Sequence, residues 1–508
     1  MATTLTGSAQ PVSLGQGYAL RAPGLRGSAE LLQPGSTTTR SASRSLDAGL
    51  AAFDAALRAE HMTEVKVIDL TLAPAGPGAA APVMRSVQQE DEIELEVPAL
   101  GDDTGQIVVS VDDAGAIRWH LPLDTPAAGA ANASRGGGAT RRFRIPASLV
   151  APPPVATGLQ QRSIFGAVAR RLLKVIVYPI TDPVIGAISE FFAQRWEAKK
   201  RPYRLRHFRA SDHASAEATL LSSDELEQMR AGGPVLAFIH GTFSTAHGGF
   251  GQLPDDTLDE LHRRYGGRVF AFDHPTLGSS PVDNVQWLLA QLPQGPMQLD
   301  IVCHSRGGLV SRLLAQHPAG LGVDDAARVN VRRIVLGGVP NAGTALADPD
   351  HMVHMIDRFT TALMLTPTGP VTETLEALVT VVKMVGHGAL KGLPGLSSMH
   401  PQGDFLAALN CAGEPHPQYF AIASDYEPTD RGLRGLVSGG LDNVIDQVFG
   451  DAGNDLVVPT DGVWQANGGD GFPVGQAGLL SYARAQGVMH TDFFRHPEVS
   501  DRLLAWLD

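Results

Sequence analysis

The stretch Ile301-Val302-Cys303-His304-Ser305-Arg306-Gly307-Gly308-Leu309-Val310 sets one serine between an apolar run and a pair of glycines. Gln298 to Cys303 reads as a central strand, and from Gly307 onward Leu309, Val310, Leu313 and Leu314 line one side of a helix. A turn this tight between strand and helix forces strained backbone on Ser305. It also demands small residues two positions to either side, where Cys303 and Gly307 stand. The hydroxyl is thereby pushed into the open at the carboxyl edge of a sheet, above a helix N-terminus that favours developing negative charge. An N-cap serine would account for the hydroxyl but not for its small neighbours. Cys303, at the end of the strand, is expected to be a buried, unreactive thiol.

This stretch resembles the nucleophile elbow, G-x-S-x-G, of the α/β-hydrolase superfamily, with cysteine replacing the first glycine. Upstream, VLAFIHGTFS ends an apolar strand with His240-Gly241-Thr242, which resembles the HG motif that supplies half the oxyanion hole in lipases and esterases. The resemblance nominates the backbone amides of Thr242 and Arg306 as the two donors and makes His240 structural. A serine hydroxyl needs a base to take its proton, and the base needs an acid to fix its tautomer. GVMHTDFF resembles the catalytic-histidine loop of bacterial triacylglycerol lipases and singles out His490 among 17 histidines, whereas His496, ahead of Pro497, reads as a surface residue. FGDAGNDLVVP resembles the lipase segment in which Asn-Asp precedes a short apolar run, and implies Asp455 as the acid. Asp425, directly after the predicted strand QYFAIAS, is the alternative acid.

Gly338 to Thr344 and MHPQGDFLAALN also resemble lipase segments, so the resemblance spans about residues 230 to 508. It implies cleavage of carboxylic esters, of lipids or other acyl compounds, by a Ser305-Asp455-His490 triad through an acyl-enzyme, with no organic cofactor. Two alternatives stand beside it: an acyltransferase using the same residues, and a catalytically inactive scaffold or binding protein on a hydrolase fold. Some lipases hold a structural calcium through an aspartate two residues after the histidine. Asp492 occupies that position, with Asp442 or Asp446 as second carboxylate, and a helix cap is the other reading of Asp492.

These residues must be positioned by an α/β domain. From Pro234 onward short apolar runs (VLAFI, RVFAFD, QLDIVC, VRRIVLGGV, QYFAIAS) alternate with helical segments, the signature of a mostly parallel sheet covered by helices on both faces. The fold class expected is an α/β-hydrolase fold with a helical lid insertion, plus a small N-terminal antiparallel β domain. The chain, at 508 residues, exceeds what one core usually organises. Residues 1–61 are expected to be a flexible arm, 62–150 a small β-sandwich-like domain, 151–229 a helical connector, and 230–508 the hydrolase domain. Its lid falls at about 345–400, where methionine-rich apolar helices suit an acyl chain or simply pack as cap helices.

Composition narrows the partners. A net charge of −13 argues against a nucleic-acid binder. Residues 162–209 carry 11 basic against 3 acidic side chains, so they read either as a connector helix pair packed on the next domain or as a peripheral membrane contact. Two cysteines, an N-terminus without basic and apolar signal regions, and no apolar run of 18 residues lead to a cytoplasmic expectation.

Overall fold

Short strands punctuated by glycine build the first of two units. The structure, a computed structural model, describes residues 1–35, 44–72, 92–101, 103–112, 117–123, 140–146, 169–179, 189–217, 219–318, 320–323, 328–347, 352–365, 371–386, 393–411, 417–426, 453–466 and 474–508. One unit comprises Met1–Ala187, Val379–Ala389 and Asp430–Ile445; the other comprises Ile188–Leu378, Leu390–Thr429 and Asp446–Asp508.

In the first unit the elements are β1 (Thr3–Thr6), β2 (Val12–Gly15), β3 (Tyr18–Arg21), β4 (Arg26–Leu32), α1 (Arg44–Ala59), β5 (Thr63–Leu72), β6 (Glu92–Pro98), β7 (Thr104–Asp112), β8 (Ile117–His120), β9 (Thr140–Pro146) and β10 (Ala169–Pro179). They form two antiparallel sheets, ordered β1-β4-β5-β10-β7-β8 and β2-β3-β6-β9. Leu20, Leu95 and Phe143 of the smaller sheet share one buried cluster with Ile68, Val108 and Leu173 of the larger, so the unit is a sandwich.

Two expectations are corrected here. Of the flexible arm expected at 1–61, the described residues 1–35 and 44–61 are strands and a helix, and their glycines are turn residues: Gly7, Gly15, Gly17 and Gly24 take positive φ between four paired strands. Nor is 151–229 a helical connector. Within it β10 is an inner strand, paired antiparallel to both β5 and β7. Its core, LLKVIVY, is rich in β-branched residues, and the charges that suggested an amphipathic helix are matched across the sheet: Arg170 meets Asp69 at 2.7 Å and Lys174 meets Glu64 at 3.0 Å. The loop expected at 127–139 lies outside the described residues.

The second unit begins with α2 (Ser189–Lys200), β11 (Arg204–His207), α3 (Ser223–Gly232), β12 (Val235–Ile239), α4 (Ala246–Phe250), α5 (Asp255–Arg264), β13 (Val269–Asp273), α6 (Pro281–Gln291), β14 (Met297–His304), α7 (Gly307–Gln316) and β15 (Val329–Gly337). It continues through α8 (Met352–Leu365), the part of α9 (Val371–Gly386) up to Leu378, α10 (Pro394–Ser397), α11 (Asp404–Asn410), β16 (Gln418–Ser424), β17 (Leu479–Tyr482) and α12 (Pro497–Trp506). Its sheet runs β11-β13-β12-β14-β15-β16-β17, parallel throughout except for the edge strand β11.

Every residue of β12 and β13 is buried, which is why these strands read as unbroken apolar runs and not as alternation. The chain leaves β12 for β13 on one side and then returns to β14 on the other. Strand order therefore reverses between β12 and β14, and the crevice outside their carboxyl ends is where such sheets bind ligands. Among the described residues no helix is long and apolar enough to cross a membrane.

Candidate active site

Ser305 sits in that crevice, between the end of β14 and the start of α7. Its φ is +52°, a left-handed conformation that costs a non-glycine residue roughly 1–3 kcal/mol and persists only where the surroundings enforce it. They do so through close approach. A β-carbon on Gly241 would lie 2.5 Å from Ser305 Cβ, and one on Gly307 would lie 2.3 Å from the carbonyl oxygen of Ile239. The Ser305 amide is pinned by donating to the Gly337 carbonyl at 2.8 Å. Cys303 is tolerated in place of glycine because its thiol turns sideways and donates to the Val335 carbonyl of β15 at 3.2 Å. Burial pushes that thiol up to about 12, so it stays protonated and unreactive.

His490 and Asp455 come together. Nδ1 of His490 donates to Asp455 Oδ2 at 2.8 Å, with both side chains essentially inaccessible to solvent. The other carboxylate oxygen, Oδ1, accepts the Val457 and Val458 amides at 3.0 and 2.8 Å, and the His490 amide donates to the Asp455 carbonyl at 3.1 Å. Nε2 of His490 is buried and has no hydrogen-bond partner among the described residues. The imidazole lies against Gly338, where a β-carbon would come 3.0 Å from Nδ1 and 3.1 Å from Cε1. Gly338 follows the residue whose carbonyl holds Ser305, so imidazole and hydroxyl border the same strand end.

Neighbouring side chains fix this histidine. His304, next to the serine, donates from Nε2 to the His490 carbonyl at 2.8 Å, and burial lowers its pKa to about 3, keeping it neutral. The segment after His490 is anchored by Phe494, whose ring packs 4.7 Å from Phe250 in the core. Phe359 of α8 meets His490 edge-on at 5.8 Å and Phe243 at 5.4 Å. These contacts from His304 and Phe359 have no signature in the sequence.

The nominated oxyanion donors flank the serine. The amides of Thr242 and Arg306 have no hydrogen-bond acceptor among the described residues. Arg306 stands at the head of α7, whose N-terminal end favours negative charge. His240 is wholly buried and stacks on His274 at 4.2 Å. Its Nε2 accepts the His274 amide and its Nδ1 donates to the Gly241 carbonyl; burial lowers its pKa to about 4. Such a ring braces the loop and has no free nitrogen to serve as base.

Other nominated residues have other partners. Asp425 pairs with Arg484 at 2.7 Å. Asp492 is engaged within its own turn, accepting the Met489 amide at 2.8 Å and facing the Arg495 guanidinium at 2.5 Å. Asp442 and Asp446 fall outside the described residues, and among those described no three metal-binding side chains cluster. A carboxylate already paired with arginine does not suit calcium.

A family profile described as Domain of unknown function (DUF7379) matches residues 200–508, more than half of the chain. The chain belongs to the DUF7379 family. No curated protein matches it. Among solved structures, the DUF7379 chain is similar to EstA from Clostridium botulinum, at 12% identity over 59% of this chain and 96% of that one, with a TM-score of 0.38. It is also similar to lipase 1 from Pelosinus fermentans, at 14% identity over 54% and 98%, with a TM-score of 0.36. The Staphylococcus hyicus lipase follows at 12% identity over 54% and 93%, with a TM-score of 0.33.

Proposed function

We propose that the chain is a serine hydrolase that cleaves carboxylic esters, with acyl or lipid esters as its substrate class. One observation carries the reading: a buried His490-Asp455 pair at 2.8 Å leaves Nε2 unpartnered at the strand end, Gly337 and Gly338, that also holds the buried, backbone-strained Ser305. Ser305 Oγ attacks the ester carbonyl carbon while His490 Nε2 takes its proton, and Asp455 stabilises the imidazolium. The carbonyl oxygen, now an oxyanion, accepts hydrogen bonds from the Thr242 and Arg306 amides. Collapse breaks the bond to the leaving alcohol, which receives the proton from Nε2. Water, deprotonated by the same nitrogen, then attacks the acyl-enzyme and releases the acid.

Support for an acyl substrate comes from α8, which we read as part of a lid. Its Met352, Ile356, Phe359, Leu363 and Met364 are buried, and Phe359 covers His490, so an adaptable apolar surface borders the reacting atoms. The test is a series of p-nitrophenyl esters of increasing acyl length assayed with the parent chain and Ser305→Ala. The parent turns over, and the variant loses activity by several orders of magnitude, about 10⁶-fold in comparable enzymes. Full activity in Ser305→Ala would end this reading. Added alcohol in the same assay reports acyl transfer, as a new ester product, against hydrolysis.

A further inference from the structure

A carboxylate outside the hydrolase motifs stands behind the oxyanion-hole residues. Glu197, on α2, is wholly buried, and a buried carboxylate is costly unless it is hydrogen-bonded. Its Oε1 accepts the amides of Thr276 at 2.5 Å and Leu277 at 2.8 Å, and Oε2 accepts the amide of Gly278 at 2.8 Å. Burial pushes the Glu197 carboxyl up, and the three amides together with the Arg306 charge pull it back.

The loop gripped in this way follows β13 and touches Arg306 and the residue after Thr242. On one side Thr276 Oγ1 accepts the amide of Phe243 at 3.2 Å. Phe243 is held at φ +61° and is the residue after Thr242, so this bond orients the peptide chain that presents the Thr242 amide. On the other side the Arg306 guanidinium, also wholly buried, donates to the Ser279 carbonyl at 2.6 Å and to the Gly395 carbonyl at 2.8 Å. The two donors belong to separate elements, the loop after β12 and the head of α7. Residues 276–279 give them a common reference, and Glu197 fixes that reference.

We propose that Glu197 is a positioning residue for the oxyanion hole, acting through the Thr276, Leu277 and Gly278 amides on the Thr242 and Arg306 donors. The inference rests on the hydrolase reading above and deepens it. A misplacement of about 1 Å in such a site costs on the order of a hundredfold in rate.

Glu197→Gln keeps the size but puts an amide nitrogen where an oxygen accepted, so at least one of the three N–H groups loses its acceptor. The expected result is a fall in kcat on a p-nitrophenyl ester of about tenfold to a hundredfold, with KM within about twofold. A trifluoromethyl ketone inhibitor, which forms a tetrahedral oxyanion on Ser305, weakens by the same factor. A purely structural role would lower the thermal midpoint and leave inhibitor affinity and kcat of the folded fraction unchanged.

A second pair decides the matter if Glu197→Gln fails to fold. Thr276→Val removes the acceptor for Phe243 and is expected to lose about tenfold in kcat, and Thr276→Ser, which keeps the hydroxyl, recovers most of that loss. Folded Glu197→Gln with kcat and inhibitor affinity within about twofold of the parent, or Thr276→Val equal to Thr276→Ser, overturns the proposal. Ser305→Ala is assayed alongside. Retained turnover there defeats the hydrolase reading itself, whereas a dead Ser305→Ala with unaltered Glu197→Gln and Thr276→Val defeats this inference alone.

Discussion

Replacing Asp455 by asparagine separates an orienting carboxylate from a buried turn residue. In the parent, Oδ2 accepts the hydrogen bond from His490 Nδ1, and Oδ1 is committed to the Val457 and Val458 amides. An asparagine has one acceptor oxygen, and the two valine N–H groups claim it. The amide NH2 then faces His490 Nδ1, which must become an acceptor, and the proton moves to Nε2. That is the wrong tautomer for a base, because the atom that must take the serine proton already carries one. The loss expected is about 10⁴-fold in kcat, or about 5 kcal/mol of transition-state stabilisation. Stability falls by only about 1.5–3 kcal/mol, the value of one charged hydrogen bond, since both valine bonds survive. Steady-state hydrolysis of a p-nitrophenyl ester, with circular dichroism to confirm the fold, reads both. A folded Asp455→Asn retaining more than about a tenth of parental kcat would refute the tautomer argument.

Asp425→Asn is expected to change kcat by less than about threefold, because its carboxylate is spent on Arg484; a loss comparable to that of Asp455→Asn would make it the acid instead. Thiol titration of the native protein should count one fast cysteine, the exposed Cys411. Cys303, buried with its thiol pushed up to about 12, should react only on unfolding, and two fast thiols would contradict the buried elbow strand. His304 is neutral when folded, with a pKa near 3 against 6.5 in the unfolded chain, so below about pH 6.5 only the unfolded state gains its proton. The stability that His304 contributes is therefore whole above that pH and is lost as pH falls. The advantage of the parent over His304→Phe in urea unfolding should shrink by about 2 kcal/mol between about pH 7.5 and 5.0, and a constant or growing gap would contradict the neutral assignment.

The strands that carry the site were legible because they are buried on both faces. VLAFI and QYFAIAS coincide with β12 and β16, and RVFAFD contains β13. The strained turn at Ser305 could be read from local chemistry alone, since such backbone between a strand and a helix needs the small flanking residues that the sequence displays. The pairing of His490 with Asp455 could not. Nothing local joins residues 35 positions apart in irregular segments, and only resemblance nominated them.

The charged edge strand β11, RLRH, escaped notice because an edge needs no apolar run. β10 misled through Arg170, Arg171 and Lys174, whose spacing suits a helix until the partner strands supply Asp69 and Glu64. At the N-terminus, glycines that turn four short strands look in composition like those of a linker. Glu197 was invisible for another reason: its partners are backbone amides about eighty residues downstream, which carry no sequence signature.

The most direct test of the central claim is covalent. The parent chain, Ser305→Ala and His490→Ala are each treated with a fluorophosphonate and analysed by intact mass and peptide mapping. A single adduct is expected on the parent, carried by the peptide containing Ser305, with none on Ser305→Ala and labelling of His490→Ala slowed by several orders of magnitude. An unlabelled parent, or an adduct on any other residue, would contradict that claim.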